Sequence, residues 1–311
     1  MDYIIFILSM TALIYGANHI IVEAERIALR FNISSFFIGA TLIAVGTSLP
    51  EMAASIAASA DGKPDMAVAN VLGSVTFNIS LVLGVIFLIA KDISPKRDLF
   101  SNDSAWSLFP LAAFILMAYD GEIGMFEGIM FLLLMFGYLL FLSKDAKAFE
   151  EEVNTGLVKE EFNWVKTVIL LILGFILVIA GADFTIDSAS NIAHDWGVSE
   201  WVISLILIAF GTSLPELVVS IQAARKKNAD MIVGNIIGSN VANFTIVLGS
   251  AAIVHPLSID FAKYGYDILC ASIASLMLVF ITANKLYNKS AGIGLLVIIA
   301  LMLNNALKSF T

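Results

Sequence analysis

Residues 42–84 and 207–249 are two copies of one segment. Offset by 165 positions, they align without a gap and share 22 identities over 43 residues. The identities include Gly, Pro, Glu and Asn at fixed spacing, which low-complexity apolar sequence does not produce by chance. Such a chain is built to fold each copy alike and to bury the two copies together. The match extends weakly upstream, with Gly16-Ala17 falling on Gly181-Ala182 and Ile27-Ala28 on Ile192-Ala193.

The solvent around this duplication is lipid. The 311 residues are 59% hydrophobic and 14% charged, where soluble domains average about 45–50% and about 25%. The apolar residues come in runs of about 20, the length a helix needs to cross the hydrocarbon. Ten spans are expected, at 3–22, 34–59, 66–90, 105–119, 124–143, 164–186, 200–224, 229–254, 264–283 and 290–308. The fourth is short and contains Pro110. The start, MDYIIFILSM, lacks a basic n-region and a cleavage site, so it is expected to open the first span. A net charge of -9 without a basic stripe argues against nucleic acid, and Cys270 alone makes no disulfide framework.

Lys and Arg set the orientation. Of 17, all but Lys63, Lys263 and Lys308 fall on one set of loops. Those loops are therefore cytoplasmic, and both termini lie outside. The Glu- and Lys-rich stretch 144–163 reads as a solvated cytoplasmic linker. It separates a first half, 1–143, from a second, 164–311. Five spans per half is an odd number, so the second copy enters from the opposite face. The expected fold is an all-α integral membrane protein of ten transmembrane helices in two inverted five-helix repeats, an arrangement that places substrate at the repeat interface. The short linker points to a plasma membrane of prokaryotic type, an inner membrane.

Each copy carries GTSLPE inside an apolar run, Gly46–Glu51 and Gly211–Glu216. A carboxylate at a helix centre costs about 2.5–3.5 kcal/mol on the insertion scale, and no Lys, Arg or His lies at comparable depth in the repeats. A bound cation or a proton must compensate Glu51 and Glu216. Pro50 and Pro215 lack an N–H, so each frees the carbonyl four residues back and kinks its helix. Thr47 and Thr212 precede the carboxylates by four, so each is expected to share a face with its glutamate. The following helix of each copy adds Ser74 with Asn78, and Ser239 with Asn243, again four apart. This set contains only oxygen ligands, which suits hard cations. Ca2+ accepts six to eight oxygens in loose geometry, whereas Mg2+ demands a stricter octahedron. His19, His194 and His255 lie near span ends and do not cluster. Ser55, Ser220 and Ala58 are expected to pack helices. Asn70 and Asn235 are expected to pack or cap them, and Asp183 to sit at a solvated outer end.

The two GTSLPE segments, each followed by a Gly-Ser-x-x-x-Asn helix, resemble the alpha repeats of the cation/Ca2+ exchanger superfamily, most closely the prokaryotic Na+/Ca2+ exchangers. The resemblance covers the whole chain. It implies antiport of Ca2+ against Na+ by alternating access, with Ca2+ and Na+ as transported substrates rather than cofactors. By motif position it implies Glu51 and Glu216 as central ligands, with hydroxyls or carbonyls from Thr47, Ser48, Thr212 and Ser213. Ser74, Asn78, Ser239 and Asn243 would complete the polar set, and Ala44 and Ala209 would add carbonyls. The first and sixth helices would be the moving pair. Many prokaryotic relatives carry Asp where this chain has Asn243. Two carboxylates neutralise one Ca2+, and three Na+ would leave one net positive charge. The runner-up is H+/Ca2+ exchange at the same site, which would need no hydroxyl-rich segment. A passive channel does not need the duplicated prolines. An intramembrane hydrolase is disfavoured because no nucleophile–His pair exists, so neither a catalytic residue nor a cofactor is expected.

Overall fold

The structure, a computed structural model, describes residues 1–90, 93–144, 162–197 and 211–308. It is helical nearly throughout. In chain order the helices are α1 (Asp2–Phe31), the pair α2 (Ser35–Thr47) and α3 (Leu49–Ala60), α4 (Pro64–Ile89), the short α5 (Ser104–Met117), α6 (Met125–Lys144), α7 (Trp164–Asp195), α8 (Leu214–Arg225), α9 (Ala229–Val254), α10 (Phe261–Ala283) and α11 (Lys289–Lys308). Among the described residues seven of these are long and apolar enough to cross a bilayer, and α2 with α3 makes an eighth that bends by 43° at Ser48. The first part of the expected span 200–224 lies outside the described residues, as do Ala209 and linker residues 145–161.

Two expected spans are corrected in length. The spans 3–22 and 164–186 become helices of 30 and 32 residues, about 45 and 48 Å long at 1.5 Å per residue. That exceeds a hydrocarbon core of about 30 Å, so both must tilt or project beyond it. The apolar runs end before the helices do. In α1, Glu23 is only 1% exposed and accepts a 2.6 Å bond from Arg26 one turn on. The charge is neutralised inside the helix, and α1 continues to a left-handed cap at Asn32 (φ 52°).

Helices α1 and α7 pack along their lengths. Contact is backbone-close at their repeat-equivalent glycines: a Cβ on Gly16 would sit 2.7 Å from the Gly174 carbonyl oxygen, and one on Gly181 would sit 2.9 Å from the Leu13 nitrogen. Small residues permit such approaches in lipid, where packing rather than hydrophobicity joins helices. Thr185 donates to Ser9 (2.8 Å) and the Trp196 indole to Tyr3 (2.9 Å) at the far end of the pair. The same device recurs around the core. Gly84 of α4 meets Gly292 of α11, and Gly249 of α9, equivalent to Gly84 by the 165-residue offset, meets Gly128 of α6. Strands β1 (Glu122–Ile123) and β2 (Leu257–Ser258) pair antiparallel and tie the loops after α5 and α9.

The loop between α4 and α5 is held by buried charge. The Asp230 carboxylate at the start of α9 accepts the backbone N–H groups of Lys96 and Arg97 at 3.3 and 3.1 Å. The Arg97 guanidinium pairs in two places with Asp103, which is fully buried, and lies over the Phe36 ring of α2 at 5.0 Å. Breaking a buried pair by removing one partner costs about 3–5 kcal/mol. Asp103→Ala is therefore expected to lower the melting temperature of the detergent-purified protein markedly. An unchanged melting curve would show that this pair does not hold the loop.

Candidate functional site

The first GTSLPE segment breaks its helix at the serine, and the second repeats the same backbone at the serine that precedes α8. Ser48 has φ −85° and ψ 6°, and Ser213 has φ −89° and ψ 1°, so the two copies adopt one local geometry. The proline then occupies the first turn of the next helix, where a missing N–H costs nothing. Glu51 and Glu216 fall in that same first turn. A carboxylate there faces the positive end of the helix dipole. On the other side of the break, Pro50 cannot donate to the Gly46 carbonyl nor Pro215 to that of Gly211, which leaves oxygen atoms directed at the gap.

The break corrects one local expectation. Thr47 and Glu51 do not share a helical face, because Ser48 between them is not helical. The Thr47 hydroxyl donates back to the carbonyls of Ile43 and Ala44 (3.2 and 3.3 Å) and faces the carboxylate of Glu216 in the other copy. Ser48 also crosses over, donating to Glu216 Oε1 at 3.4 Å. Ser74 of α4 meets Thr212 at 3.5 Å. The two copies thus interdigitate, and the carboxylates of Glu51 and Glu216 lie within electrostatic reach of each other.

Helices α4 and α9 complete the cluster, each with an irregularity at the same place. A π-helical segment begins at Asn78 in α4 (Asn78–Leu83) and at Asn243 in α9 (Asn243–Val247). A third occupies Gly39–Ile43, just before Ala44. Such segments concentrate at functional sites because the wider turn releases backbone groups. Nothing in the local sequence announces them; their coincidence with the duplicated asparagines is the only available signal.

The cluster is dry. Thr47, Glu51, Asn78, Glu216, Ser239 and Asn243 are fully buried, as is Ala44; Ser48, Ser74 and Ser213 are nearly so, and Thr212 is half-buried. It is also short of donors. Both oxygens of Glu51, Oε2 of Glu216, Oδ1 of Asn243, the hydroxyls of Ser213 and Ser239, and both amide atoms of Asn78 have no hydrogen-bond partner. Asn243 donates its Nδ2 to the Ser239 carbonyl at 2.9 Å, which turns its oxygen away from that bond and leaves it free. Buried polar atoms are normally paired, and unpaired buried carboxylates are costly. Among the described residues no third His, Cys, Asp or Glu joins the two carboxylates. The arrangement attracts a cation and supplies it with oxygen from both copies.

The expected packing residues behave as such. Asn70 donates to Ser55 (2.9 Å) and Asn235 to Ser220 (3.4 Å), the same interhelical bond in each copy. Asn70 also donates to the Glu51 carbonyl at 3.2 Å, steadying the backbone at the carboxylate. Asp183 is exposed on α7.

A helical polytopic membrane protein with a broken span beside a buried, doubly acidic oxygen cluster is a cation-handling protein by class. Residues 1–144 and 166–305 match the family model described as sodium/calcium exchanger protein, and the chain belongs to that family. It is 38% identical over 273 residues to an uncharacterized membrane protein of Methanocaldococcus jannaschii, covering 88% of this chain and 87% of that one. It is 28% identical over 322 residues to the sodium/calcium exchanger MaX1 of Methanosarcina acetivorans, covering 91% and 92%. Among solved structures, the sodium-calcium exchanger NCX_Mj soaked with 2.5 mM Na+ and 0.1 mM Ca2+ matches with a TM-score of 0.81 at 33% identity over 97% of each chain.

Proposed function

We propose that this protein is a secondary antiporter that exchanges Ca2+ for Na+ at one site shared by the two copies. One observation carries the proposal: each copy contributes one fully buried carboxylate, and the atoms around the pair are unpartnered oxygens and amides rather than cationic side chains. Two carboxylates balance one Ca2+, and the surrounding hydroxyls and carbonyls suit Na+. The site comprises Glu51, Glu216, Thr47, Ser48, Thr212, Ser213, Ser74, Asn78, Ser239, Asn243 and the carbonyls of Ala44 and Ala209. It lies between two inverted five-helix repeats, ten spans in all, in a prokaryotic plasma membrane with both termini outside.

Alternating access is supported by an asymmetry between equivalent helices. Leu214, Val218 and Val219 of α8 are 8%, 7% and 1% exposed and lie under α1, whereas their counterparts Leu49, Ala53 and Ala54 of α3 are exposed. The turn after α8 is fastened to α1 by Lys226 on Glu25 at 3.1 Å. With the termini outside, this is a carrier packed more tightly on the cytoplasmic side than on the other, with the cluster itself buried between them.

The test uses proteoliposomes loaded with Na+ at equal internal and external pH. Labelled Ca2+ is expected to enter when external Na+ is removed, and a pH gradient without Na+ is expected to drive none. Uptake that ignores Na+ and follows the pH gradient would instead assign proton coupling to the same carboxylates.

A further inference from the structure

Asn240 stands in α9 beside the cluster. It follows Ser239 directly and precedes Asn243 by three residues. Side chains at i and i+3 of a helix are neighbours, about 5–6 Å apart at Cβ, so the Asn240 amide borders that of Asn243. It is 2% exposed, and neither Oδ1 nor Nδ2 has a hydrogen-bond partner. An amide buried in this way loses its water without recompense, at a cost of about 1–3 kcal/mol for each polar group.

The duplication shows that packing does not require this cost. The equivalent position in the first copy is Val75, which is completely buried within the apolar core. A valine therefore fits the fold at this place. The second copy replaces it with a side chain of similar bulk whose polar atoms are left open, next to a ligand amide that is also open at Oδ1. The cluster is thus lopsided: the α9 side holds two amides where the α4 side holds one.

We propose that Asn240 is a specificity-determining residue whose amide oxygen favours Na+ in the half of the site built by α9. The proposal rests on the reading of the site as a Na+/Ca2+ exchanger. The attraction of a carboxylate and that of a neutral dipole both scale with the charge of the ion, so an oxygen that touched both ions at one position would not favour Na+. Discrimination arises where more than one Na+ shares the two carboxylates: the added Na+ takes a position that the single Ca2+ leaves empty, and neutral oxygens must complete its coordination. Loss of the Asn240 oxygen should therefore weaken Na+ more than Ca2+.

The experiment compares the wild-type protein with Asn240→Val and Asn240→Thr in proteoliposomes. Valine and threonine share a shape and differ by one oxygen. Two quantities are read: the Na+ concentration for half-maximal release of labelled Ca2+, and the Ca2+ concentration for half-maximal Ca2+/Ca2+ self-exchange without Na+. Asn240→Val is expected to raise the first by about fivefold to tenfold, the loss of one neutral ligand, and to leave the second within about twofold. Asn240→Thr is expected to recover part of the Na+ response. Valine and threonine variants with the same Na+ dependence, or equal changes in both quantities, would overturn the proposal and make Asn240 a packing residue. Absence of any Na+-coupled release from the wild type would instead reject the exchanger reading on which it rests.

Discussion

Glu51→Gln and Glu216→Gln are each expected to abolish Na+-driven Ca2+ uptake, reducing it at least about a hundredfold, in a protein that still folds and elutes as the wild type does. Glutamine keeps the shape and one oxygen of glutamate but removes the charge. Each carboxylate is fully buried, so its charge is poorly screened, and losing one of a compensating buried set costs about 3–5 kcal/mol. A hundredfold loss corresponds to about 2.7 kcal/mol and is the lower bound. The two residues act on one ion, so their losses are not additive. The double variant is expected to be no less active than either single one. Uptake in proteoliposomes, with the labelled ion and an imposed Na+ gradient, measures all three. If either single variant retains half the wild-type rate, the two copies do not share a site.

The second large effect is expected from Gly238→Val. A Cβ at Gly238 would lie 2.3 Å from the Ala40 carbonyl oxygen and 2.6 Å from its Cα. The obstructing atoms are backbone, which no side-chain rotation can clear. Helices α2 and α9 must separate, and the residues on either side of that contact are Ala44 and Ser239, both in the cluster. Overpacking of this kind costs about 1–3 kcal/mol and sometimes more. The variant is expected to be recovered in low yield with a lowered melting temperature and no transport. Gly137→Ala on α6, where the added carbon would meet nothing within 4 Å, is the control and should behave as wild type. A stable, active Gly238→Val protein would mean that α2 and α9 do not touch where the structure joins them.

Much of this site was legible in the sequence, because duplication doubles every signal. A lone proline in an apolar run is weak evidence, but Pro50 and Pro215 at the same offset from a buried glutamate mark the places where Ser48 and Ser213 leave helical geometry. The duplicated Asn70 and Asn235 read as packing or capping residues and Ser55 and Ser220 as packing residues, but the bonds that join them emerge only in the structure. Other features were not legible, for reasons of geometry. Helical spacing predicts faces only along an unbroken helix, so Thr47 was placed with Glu51 when the interruption at Ser48 turns it toward Glu216. Contacts between copies have no counterpart in local spacing at all. The length of α1 is not legible because Glu23 and Arg26 read as a polar end, whereas the structure pairs them within the helix. The π-helical segments at Asn78 and Asn243 depend on where the chain yields under packing, which a single sequence does not record.

The central claim is that two copies build one cation site at which Na+ and Ca2+ compete. Calorimetric titration of the purified protein with Ca2+, at several fixed Na+ concentrations, tests it most directly. The account predicts one Ca2+ bound per chain, an apparent affinity that falls as Na+ rises, and no binding in the double variant of Glu51→Gln with Glu216→Gln. Two independent Ca2+ per chain, or binding unaffected by saturating Na+, would contradict it.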